Sequence, residues 1–191
     1  MEGFDPATSF GYEVSKRYDE DARGDEEETV AFLARLAGQR DTLEFAVGTG
    51  RIALPLMAAG VRVDGIELSQ DMVDRMREKP DGEAVQVTMG DMSRVTTGRT
   101  YGLVYLVFNT IGNLLSQDDQ VRCFENAARH LADDGVGFNP IRLRLAYPPE
   151  FDLMARIGGL RLRDRWGGWH GEPFTATSWR HVSVYERSPD R

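Results

Sequence analysis

Two glycines stand directly after an apolar run, in the segment LEFAVGTGR at residues 43–51. Glycine lets the backbone approach a ligand closely, and a loop that opens a helix can aim its free N–H groups at that ligand. Glu67, seventeen residues after Gly50, closes the next apolar run, where a carboxylate can accept hydrogen bonds from two ribose hydroxyls. The glycines and the acid together predict a site for a nucleoside.

The same segment leaves two kinds of ligand open. The spacing Gly48-x-Gly50-x-x-Ala53 also fits the looser fingerprint of NAD-binding proteins, so an NAD-type Rossmann oxidoreductase is one alternative. Glu44 favours the other, because a carboxylate repels a pyrophosphate and attracts the ammonium and sulfonium groups of S-adenosylmethionine. Asp91 follows the third apolar run and can accept from an adenine amino group. Three carboxylates at successive strand ends favour the cationic nucleoside.

Alternating strands and helices must position these residues. Strand patterns alternate with helical patterns along the chain, which predicts a parallel, doubly wound sheet. Ser69 is the predicted N-cap of the second helix, which ends before Pro80. The predicted strands cover residues 42–47, 61–66, 84–88 and 101–108, with a short fifth at 136–138, and the predicted helices cover 51–59, 70–78 and 117–131.

The last fifty residues follow a different pattern. It predicts a strand at 141–146, a helix at 148–157 and two alternating strands at 160–166 and 181–186. The last two strands are joined without a helix, so they must be antiparallel. The predicted fold class is α/β: a doubly wound, Rossmann-like, mostly parallel sheet with an antiparallel last strand.

The chain is short enough for one domain, because single domains usually run to about 100–200 residues. We predict a single domain over residues 1–191. Its parts are an N-terminal helical lid at 1–38, a cofactor-binding core at 39–138 and a C-terminal strand–helix–hairpin unit at 139–191.

Composition and charge exclude several function classes. A formal net charge of −8 disfavours general nucleic-acid binding. No stretch reaches the ~18 apolar residues of a membrane span, and the first residues lack the basic and apolar regions of a signal peptide. Cys123 is the single cysteine, which excludes an internal disulfide framework and favours a cytoplasmic location. No Cys/His cluster has the spacing of a metal site. A homodimer is left open.

Four segments carry a resemblance to a known family: Glu44-x-x-x-Gly48-x-Gly50, Gly65-Ile66-Glu67-Leu68-Ser69, Gly90-Asp91-Met92 and Phe108-Asn109-Thr110. From about residue 10 to its end, the chain resembles class I S-adenosylmethionine-dependent methyltransferases of the bacterial small-molecule type. The resemblance implies a Rossmann-like fold with a reversed last strand. It also implies in-line methyl transfer from S-adenosylmethionine to a nitrogen or oxygen of a small-molecule acceptor.

The resemblance further implies which residues hold each part of the cofactor. Glu44 and the loop at 48–50 would hold the methionine part. Glu67 would hold the ribose. Asp91 and Met92 would hold the adenine.

The remaining roles concern the transferable methyl group and a lid. By resemblance, Phe108 and Asn109 lie beside the methyl group, and Asn109 is the predicted catalytic residue, with a positioning role. Tyr12 or Tyr18 would form part of an N-terminal lid. The implied cofactor-binding residues are Tyr18, Glu44, Ala46, Gly48, Thr49, Gly50, Arg51, Glu67, Leu68, Asp91, Met92, Phe108 and Asn109.

The chain departs from the family pattern at two places. Ala46 stands where the family has the first glycine of G-x-G-x-G. Relatives of this type often insert several strands after the fifth strand, to cover the acceptor pocket, whereas here residues 137–140 pass almost directly to the final helix. The short connection keeps a second alternative open, which is a non-catalytic nucleoside-binding relative of these enzymes.

The other chemically active side chains are interpreted as structural. His130 ends a predicted helix, where it complements the helix dipole. His170 and Glu172 lie in a glycine-rich hairpin loop, and His181 begins a strand. Cys123 has no histidine at helical spacing and is interpreted as a small buried hydrophobe.

Overall fold

A computed structural model describes residues 8–20, 24–108, 110–140 and 147–189, with the backbone alone described at 136–140. Its strands are β1 (Thr42–Phe45), β2 (Val63–Glu67), β3 (Gln86–Met89), β4 (Tyr101–Tyr105), β5 (Leu131–Pro140), β6 (Leu160–Trp166) and β7 (Val182–Arg187). They form one sheet in the order β3-β2-β1-β4-β5-β7-β6. The pairs among β1 to β5 are parallel, and β7 runs antiparallel to both of its neighbours. The predicted fold class, including the reversed last strand, is confirmed.

Helices connect β1 to β2, β2 to β3 and β4 to β5, as the pattern predicts, and no described helix lies between β3 and β4. The described helices are α1 (Tyr12–Arg17), α2 (Glu26–Ala37), α3 (Ala53–Ala58), α4 (Gln70–Arg77), α5 (Gln117–His130) and α6 (Pro148–Ile157), with short 3₁₀ helices at Gly82–Ala84 and Thr110–Asn113. Within the residues described, no helix combines the length and apolar character needed to cross a membrane.

Some element boundaries differ from the predicted ones. β1 ends at Phe45 because Ala46 adopts a φ of 54°, which turns the chain out of the strand. β5 begins at Leu131, which the sequence pattern assigned to the preceding helix, and its register against β4 shifts near that point. Leu131 pairs with Tyr101 of β4 and the pairing resumes at Val136, so β5 extends back across polar residues whose sequence signal is weak. The strand predicted at 141–146 lies outside the described residues.

The sheet is covered on both faces. β1, β2 and β4 are buried along their whole length, as expected for parallel strands between two helical layers. One core lies under α2, α3 and α4 and includes Leu33, Leu56 and Met76. The other lies under α5 and α6 and includes Phe124 and Phe151. Two helical layers thus fix the sheet and leave its strand ends to form a site.

Two serine caps fix where the helices begin. The Ser69 hydroxyl accepts from the backbone N–H of Met72 at 3.3 Å, which confirms the predicted N-cap of α4. Ser116 caps α5 in the same way, accepting from the N–H of Asp119 at 3.1 Å. Each side chain satisfies a backbone donor that the first helical turn leaves without a partner. Because Ser69 is the cap, only two residues separate the end of β2 from the start of α4.

The loop between β6 and β7 packs on the beginning of α2. Trp169 is buried, its ring centroid lies 5.6 Å from that of Phe32, and its indole N–H donates to Asp25 at 3.0 Å. His170 lies 3.1 Å from a carboxylate oxygen of Glu28. These contacts agree with a structural interpretation of His170.

His130 is held by the fold at both ring nitrogens. Its Nε2 accepts from the backbone N–H of Thr97 at 3.0 Å, and its Nδ1 lies 2.8 Å from the carbonyl oxygen of Asn126. Burial lowers the pKa of His130, which favours the neutral ring that these two bonds require. Burial likewise raises the pKa of the Cys123 thiol, so that it stays protonated. Both residues fit the structural interpretation.

Gly65 in β2 allows the turn after β1 to pack closely, and we expect Gly65→Ala to destabilise the protein. A Cβ at this position would lie 2.6 Å from Cγ1 of Val47. The expected loss in free energy of unfolding is about 1–3 kcal/mol, as for other overpacked cores. Urea unfolding of Gly65→Ala, Val47→Ala and the double variant measures it. Because Val47→Ala removes the clashing methyl groups, the double variant should lose less than the sum of the single variants. Strict additivity would contradict this account.

Candidate cofactor site

A cavity of about 300 Å³ opens at the carboxyl ends of β1, β2 and β3. Ligands of open α/β sheets bind at this edge, next to the point where the strand order reverses. In this sheet the reversal lies between β1 and β4. Ala46, Glu67, Leu68, Asp91 and Met92 line the cavity, as predicted. The side chains that the sequence reasoning missed here are Phe10, Ile66, Arg94, Asn113, Leu114, Leu115 and Asp119.

The turn after β1 uses three left-handed residues. Ala46, Gly48 and Gly50 have φ values of 54°, 57° and 74°. Left-handed backbone costs an L-residue roughly 1–2 kcal/mol, so glycine suits these positions and Ala46 is tolerated at a price in conformational energy. A Cβ at Gly50 would also lie 2.8 Å from the side chain of Met76 on α4. The glycine pattern therefore serves both backbone direction and packing against α4.

The Glu67 carboxylate connects the tip of β2 to this turn. Its Oε2 accepts from the N–H of Gly48 at 2.8 Å, and its Oε1 accepts from the N–H groups of Leu68 and Ser69, both at 2.9 Å. A carboxylate has about four lone-pair positions, so these three bonds leave one acceptor position, on Oε2. Burial raises the pKa of Glu67, and the three backbone donors oppose that rise.

Asp91, two residues after the end of β3, lines the same cavity. Its Oδ1 accepts from the N–H of Ser93 at 2.8 Å, and its Oδ2 lies 3.4 Å from Nε of Arg94. Asn126 on α5 fixes this turn, because its amide donates to the carbonyl oxygens of Met92 at 2.8 Å and Val95 at 2.9 Å. The bonds from Asn126 join residues more than thirty positions apart, and nothing in the local sequence signals them.

Glu44 lies outside the cavity lining, buried behind the glycine turn. It is 2% exposed, and its Oε2 accepts from the Tyr105 hydroxyl at 3.0 Å. Burial raises the pKa of Glu44 to about 8, the charge of Glu67 adds to the rise, and bonds from Tyr105 and the N–H of Ala53 oppose it. At neutral pH the carboxyl therefore holds its proton in the protein alone. Its predicted role toward a cofactor stays a prediction.

Two other predicted residues, Thr49 and Arg51, contact the N-terminal segment, which carries a third, Tyr18. The Thr49 hydroxyl donates to Asp19 at 2.6 Å. Arg51 donates to the carbonyl oxygen of Tyr18 and lies 3.4 Å from a carboxylate oxygen of Glu26. Its guanidinium also lies 4.8 Å from the centroid of the Tyr18 ring. Thr49, Arg51 and Tyr18 thus meet where the predicted lid touches the glycine turn.

The residues predicted beside the methyl group are described in part. Phe108 follows β4 with a φ of 58° and is not among the residues that line the cavity. Non-glycine residues in this backbone region are uncommon and concentrate at functional sites. Asn109 lies outside the described residues. Tyr12, the other lid candidate, is 59% exposed on α1.

The electrostatics of the turn disfavour a pyrophosphate. Such a group needs free backbone N–H groups at the turn and at the start of the following helix. Here Glu67 already accepts from the N–H of Gly48, and the N–H of Ala53 at the start of α3 bonds to Glu44. Carboxyl groups therefore stand where phosphate oxygens would bind. A neutral adenosine that carries a cationic tail fits this donor and acceptor set.

Comparisons with known proteins agree with this geometry. A family model described as a methyltransferase domain matches residues 42–135. The chain is 24% identical over 204 residues to the cypemycin N-terminal methyltransferase of a Streptomyces species, covering 78% of this chain and 83% of that protein. It is 31% identical over 139 residues to the dTDP-3-amino-3,6-dideoxy-alpha-D-glucopyranose N,N-dimethyltransferase of Streptomyces fradiae. This second match covers 69% of this chain and 54% of the relative.

A solved structure extends the likeness to nearly the whole chain. The CcbJ methyltransferase from Streptomyces caelestis superposes with a TM-score of 0.87 at 29% identity, covering 97% of this chain and 100% of that one. Three findings indicate the same family: the parallel sheet with its reversed strand, the carboxylates around one cavity and the sequence match. The chain belongs to the class I S-adenosylmethionine-dependent methyltransferases.

Proposed function

We propose that this enzyme transfers a methyl group from S-adenosylmethionine to an amine nitrogen of a small-molecule acceptor. The observation that carries the proposal is that Glu67, at the end of β2, and Asp91, just after β3, line one cavity at the strand tips. The relatives support nitrogen as the acceptor atom, because one is named an N-terminal methyltransferase and another an amino-sugar N,N-dimethyltransferase. An oxygen acceptor is the alternative.

The cavity residues suit the adenosine part of this cofactor. The remaining acceptor position on Glu67 would take a ribose hydroxyl, and Oδ2 of Asp91 would take the adenine amino group. Leu68, Met92 and Leu114 would provide apolar walls for the purine. When bound, S-adenosylmethionine supplies an electrophilic methyl group on a positively charged sulfur. The protein's task is then to align the acceptor in a dry site, which contributes roughly 7–11 kcal/mol in well-oriented systems.

The methionine end of the cofactor is assigned to the glycine turn and Glu44. A cation near Glu44 favours its ionised form, so binding would lower the pKa of this carboxyl and release a proton. Phe108 and Asn109 keep their predicted places beside the methyl group. The cytoplasmic location, the absence of nucleic-acid partners, the homodimer and the division of the chain at residues 38 and 138 also stay predictions.

Binding and turnover separate this function from its alternatives. We expect calorimetric titration to show binding of S-adenosylhomocysteine with a dissociation constant of about micromolar, and no binding of NADH. Incubation with S-adenosylmethionine and a panel of small amines should release S-adenosylhomocysteine with at least one of them. NADH binding without S-adenosylhomocysteine binding would favour the oxidoreductase. Tight nucleoside binding without turnover on any amine, phenol or sugar would favour the non-catalytic relative.

Asp91→Asn tests the adenine assignment. The variant keeps an oxygen for the N–H of Ser93, but it presents an NH₂ group to the adenine amino group. We expect about tenfold weaker binding of S-adenosylhomocysteine. Binding of the 6-oxo analogue, S-inosylhomocysteine, should improve relative to wild type, because its carbonyl accepts from the new amide. Asp119→Asn, at the rim of the same cavity, is the matched control and should keep the wild-type base preference. An unchanged preference in Asp91→Asn would remove this assignment.

Glu44→Gln tests the buried carboxyl through pH. The pKa of Glu44 is about 8 in the folded protein and ordinarily 4.5, so the folded state binds this proton more tightly than the unfolded state does. The resulting contribution to the free energy of unfolding is complete below pH 4.5 and is lost as the pH rises toward 8. Glutamine does not titrate. The stability of Glu44→Gln relative to wild type should therefore increase from pH 5 to pH 8, on the order of 3 kcal/mol. Urea unfolding at both pH values measures this change.

The same variant tests the predicted charge attraction. Glu44→Gln should bind S-adenosylhomocysteine more weakly than wild type, because the neutral amide cannot attract the ammonium group. Proton release on binding, measured by calorimetry in buffers of different ionisation enthalpy, should also disappear. A pH-independent stability difference, or proton release equal to that of wild type, would contradict the assignment of Glu44.

A further inference from the structure

The carboxylate of Asp19 lies between the glycine turn and the end of α4. Its Oδ1 accepts from the Thr49 hydroxyl, and its Oδ2 lies 2.6 Å from Nζ of Lys79. Burial opposes ionisation of Asp19, but the hydrogen bonds from Lys79 and Thr49 outweigh it and hold the pKa below its usual value. Asp19 therefore remains a carboxylate paired with an ammonium over the whole neutral range.

Lys79 also holds the opposite side of Thr49. Its Nζ donates to the backbone carbonyl oxygen of Thr49 at 2.7 Å. The side chain of Thr49 is thus bound by Asp19, its carbonyl by Lys79, and the neighbouring N–H of Gly48 by Glu67. Three groups from three parts of the chain determine the shape of the cofactor turn.

Lys79 meets both oxygens through one group. The ammonium is a compact point charge with three donors, so it can bond to a carboxylate and a carbonyl oxygen at the same time. Lysine is rare in this chain, where 21 of the 23 basic residues are arginine and the two lysines are Lys16 and Lys79.

The segment that carries Asp19 also covers the adenosine end of the cavity. Phe10 is among the residues that line the cavity, and its carbonyl oxygen accepts from the Ser69 hydroxyl at 2.7 Å. Tyr18, next to Asp19, receives a hydrogen bond from Arg51 through its carbonyl oxygen. Residues 8–20 are thus attached to the site at both of their ends. A nucleoside in the cavity is in contact with a segment whose other end holds the glycine turn.

We propose that the Asp19–Lys79 ion pair is a latch, which ties the N-terminal segment to the cofactor turn and sets the rate at which the spent cofactor dissociates. This inference rests on the proposed function. Each methyl transfer leaves S-adenosylhomocysteine in the site, and the product must leave before the next turnover. Asp19 and Lys79 are positioning residues in this account, because they act through Thr49 and the segment at 8–20.

Lys79→Met tests the latch by removing the charge while keeping a long apolar side chain. We expect S-adenosylhomocysteine to dissociate about tenfold faster, as for the loss of a charge-assisted hydrogen bond, with an association rate within about threefold of wild type. Displacement by a fluorescent analogue in stopped flow gives both rates. Lys79→Arg keeps the positive charge and has donors for both oxygens, so its dissociation rate should lie closer to that of wild type than the rate of Lys79→Met does.

Asp19→Asn removes the other charge of the pair and should also speed dissociation. If the two residues act as one unit, the double variant should dissociate no faster than the faster single variant. Arg75→Met is the matched control. Its ion pair with Glu78, at 2.7 Å, also lies at the end of α4, and within the described residues neither partner forms a hydrogen bond or an ion pair with the N-terminal segment. The dissociation rate of this control should equal that of wild type.

Tryptic cleavage reports on the segment itself, without any turnover. Lys16 and Arg17 lie at the end of α1, three and two residues before Asp19. With bound S-adenosylhomocysteine, cleavage after these two residues should be slower in wild type and Arg75→Met than in Lys79→Met and Asp19→Asn. Mass spectrometry of the products identifies the cleaved bonds.

The outcomes separate the latch from the function on which it rests. If wild type binds S-adenosylhomocysteine and both latch variants release it at the wild-type rate, the latch is wrong and the proposed function stands. If wild type does not bind S-adenosylhomocysteine at all, the proposed function fails first. Strictly additive effects of Asp19→Asn and Lys79→Met would overturn the ion pair as a single unit.

Discussion

The site depends on one interaction, the acceptance of three backbone hydrogen bonds by the Glu67 carboxylate. Two of these bonds come from Leu68 and Ser69, directly before α4, and the third comes from Gly48 in the turn after β1. The tip of one strand is thereby fixed to the loop that follows its neighbour. Charge-assisted bonds of this kind are among the strongest in proteins, and burial keeps water from competing for them. The remaining acceptor position then faces a cavity of defined shape.

Buried carboxyl groups also have a cost, which the protein carries before any ligand binds. Burial raises the pKa values of Glu44 and Glu67, and the charge of Glu67 raises that of Glu44 further. Tyr105 relieves part of this cost by donating to Glu44. A positively charged ligand would relieve more of it, because opposite charges stabilise one another strongly where water is excluded. Such a site gives up stability of the free protein for affinity, a compromise common at functional sites.

The ends of the described chain add a second layer around this centre. Residues 8–20 attach to α4 and to the glycine turn, and the loop between β6 and β7 attaches to α2 through Trp169 and Asp25. Residues 8–20 are attached to the site through polar bonds, whereas the loop also buries Trp169 against Phe32. Elements with few buried apolar contacts open at a lower cost in free energy than the sheet and its cores. The sheet therefore positions the binding groups, and the latch that we propose acts through residues 8–20.

The sequence by itself determined the alternation of strands and helices, the left-handed glycine turn and the acids at the strand tips, because these follow from local patterns and from the common direction of parallel strands. It also predicted that Glu67 and Asp91 share one cavity. The tertiary structure decided that Glu44 lies behind the turn against Tyr105, that Lys79 reaches Thr49, and that β5 extends back to Leu131. Those outcomes depend on side-chain packing and on backbone pairing between distant segments, and no local pattern in the chain records either.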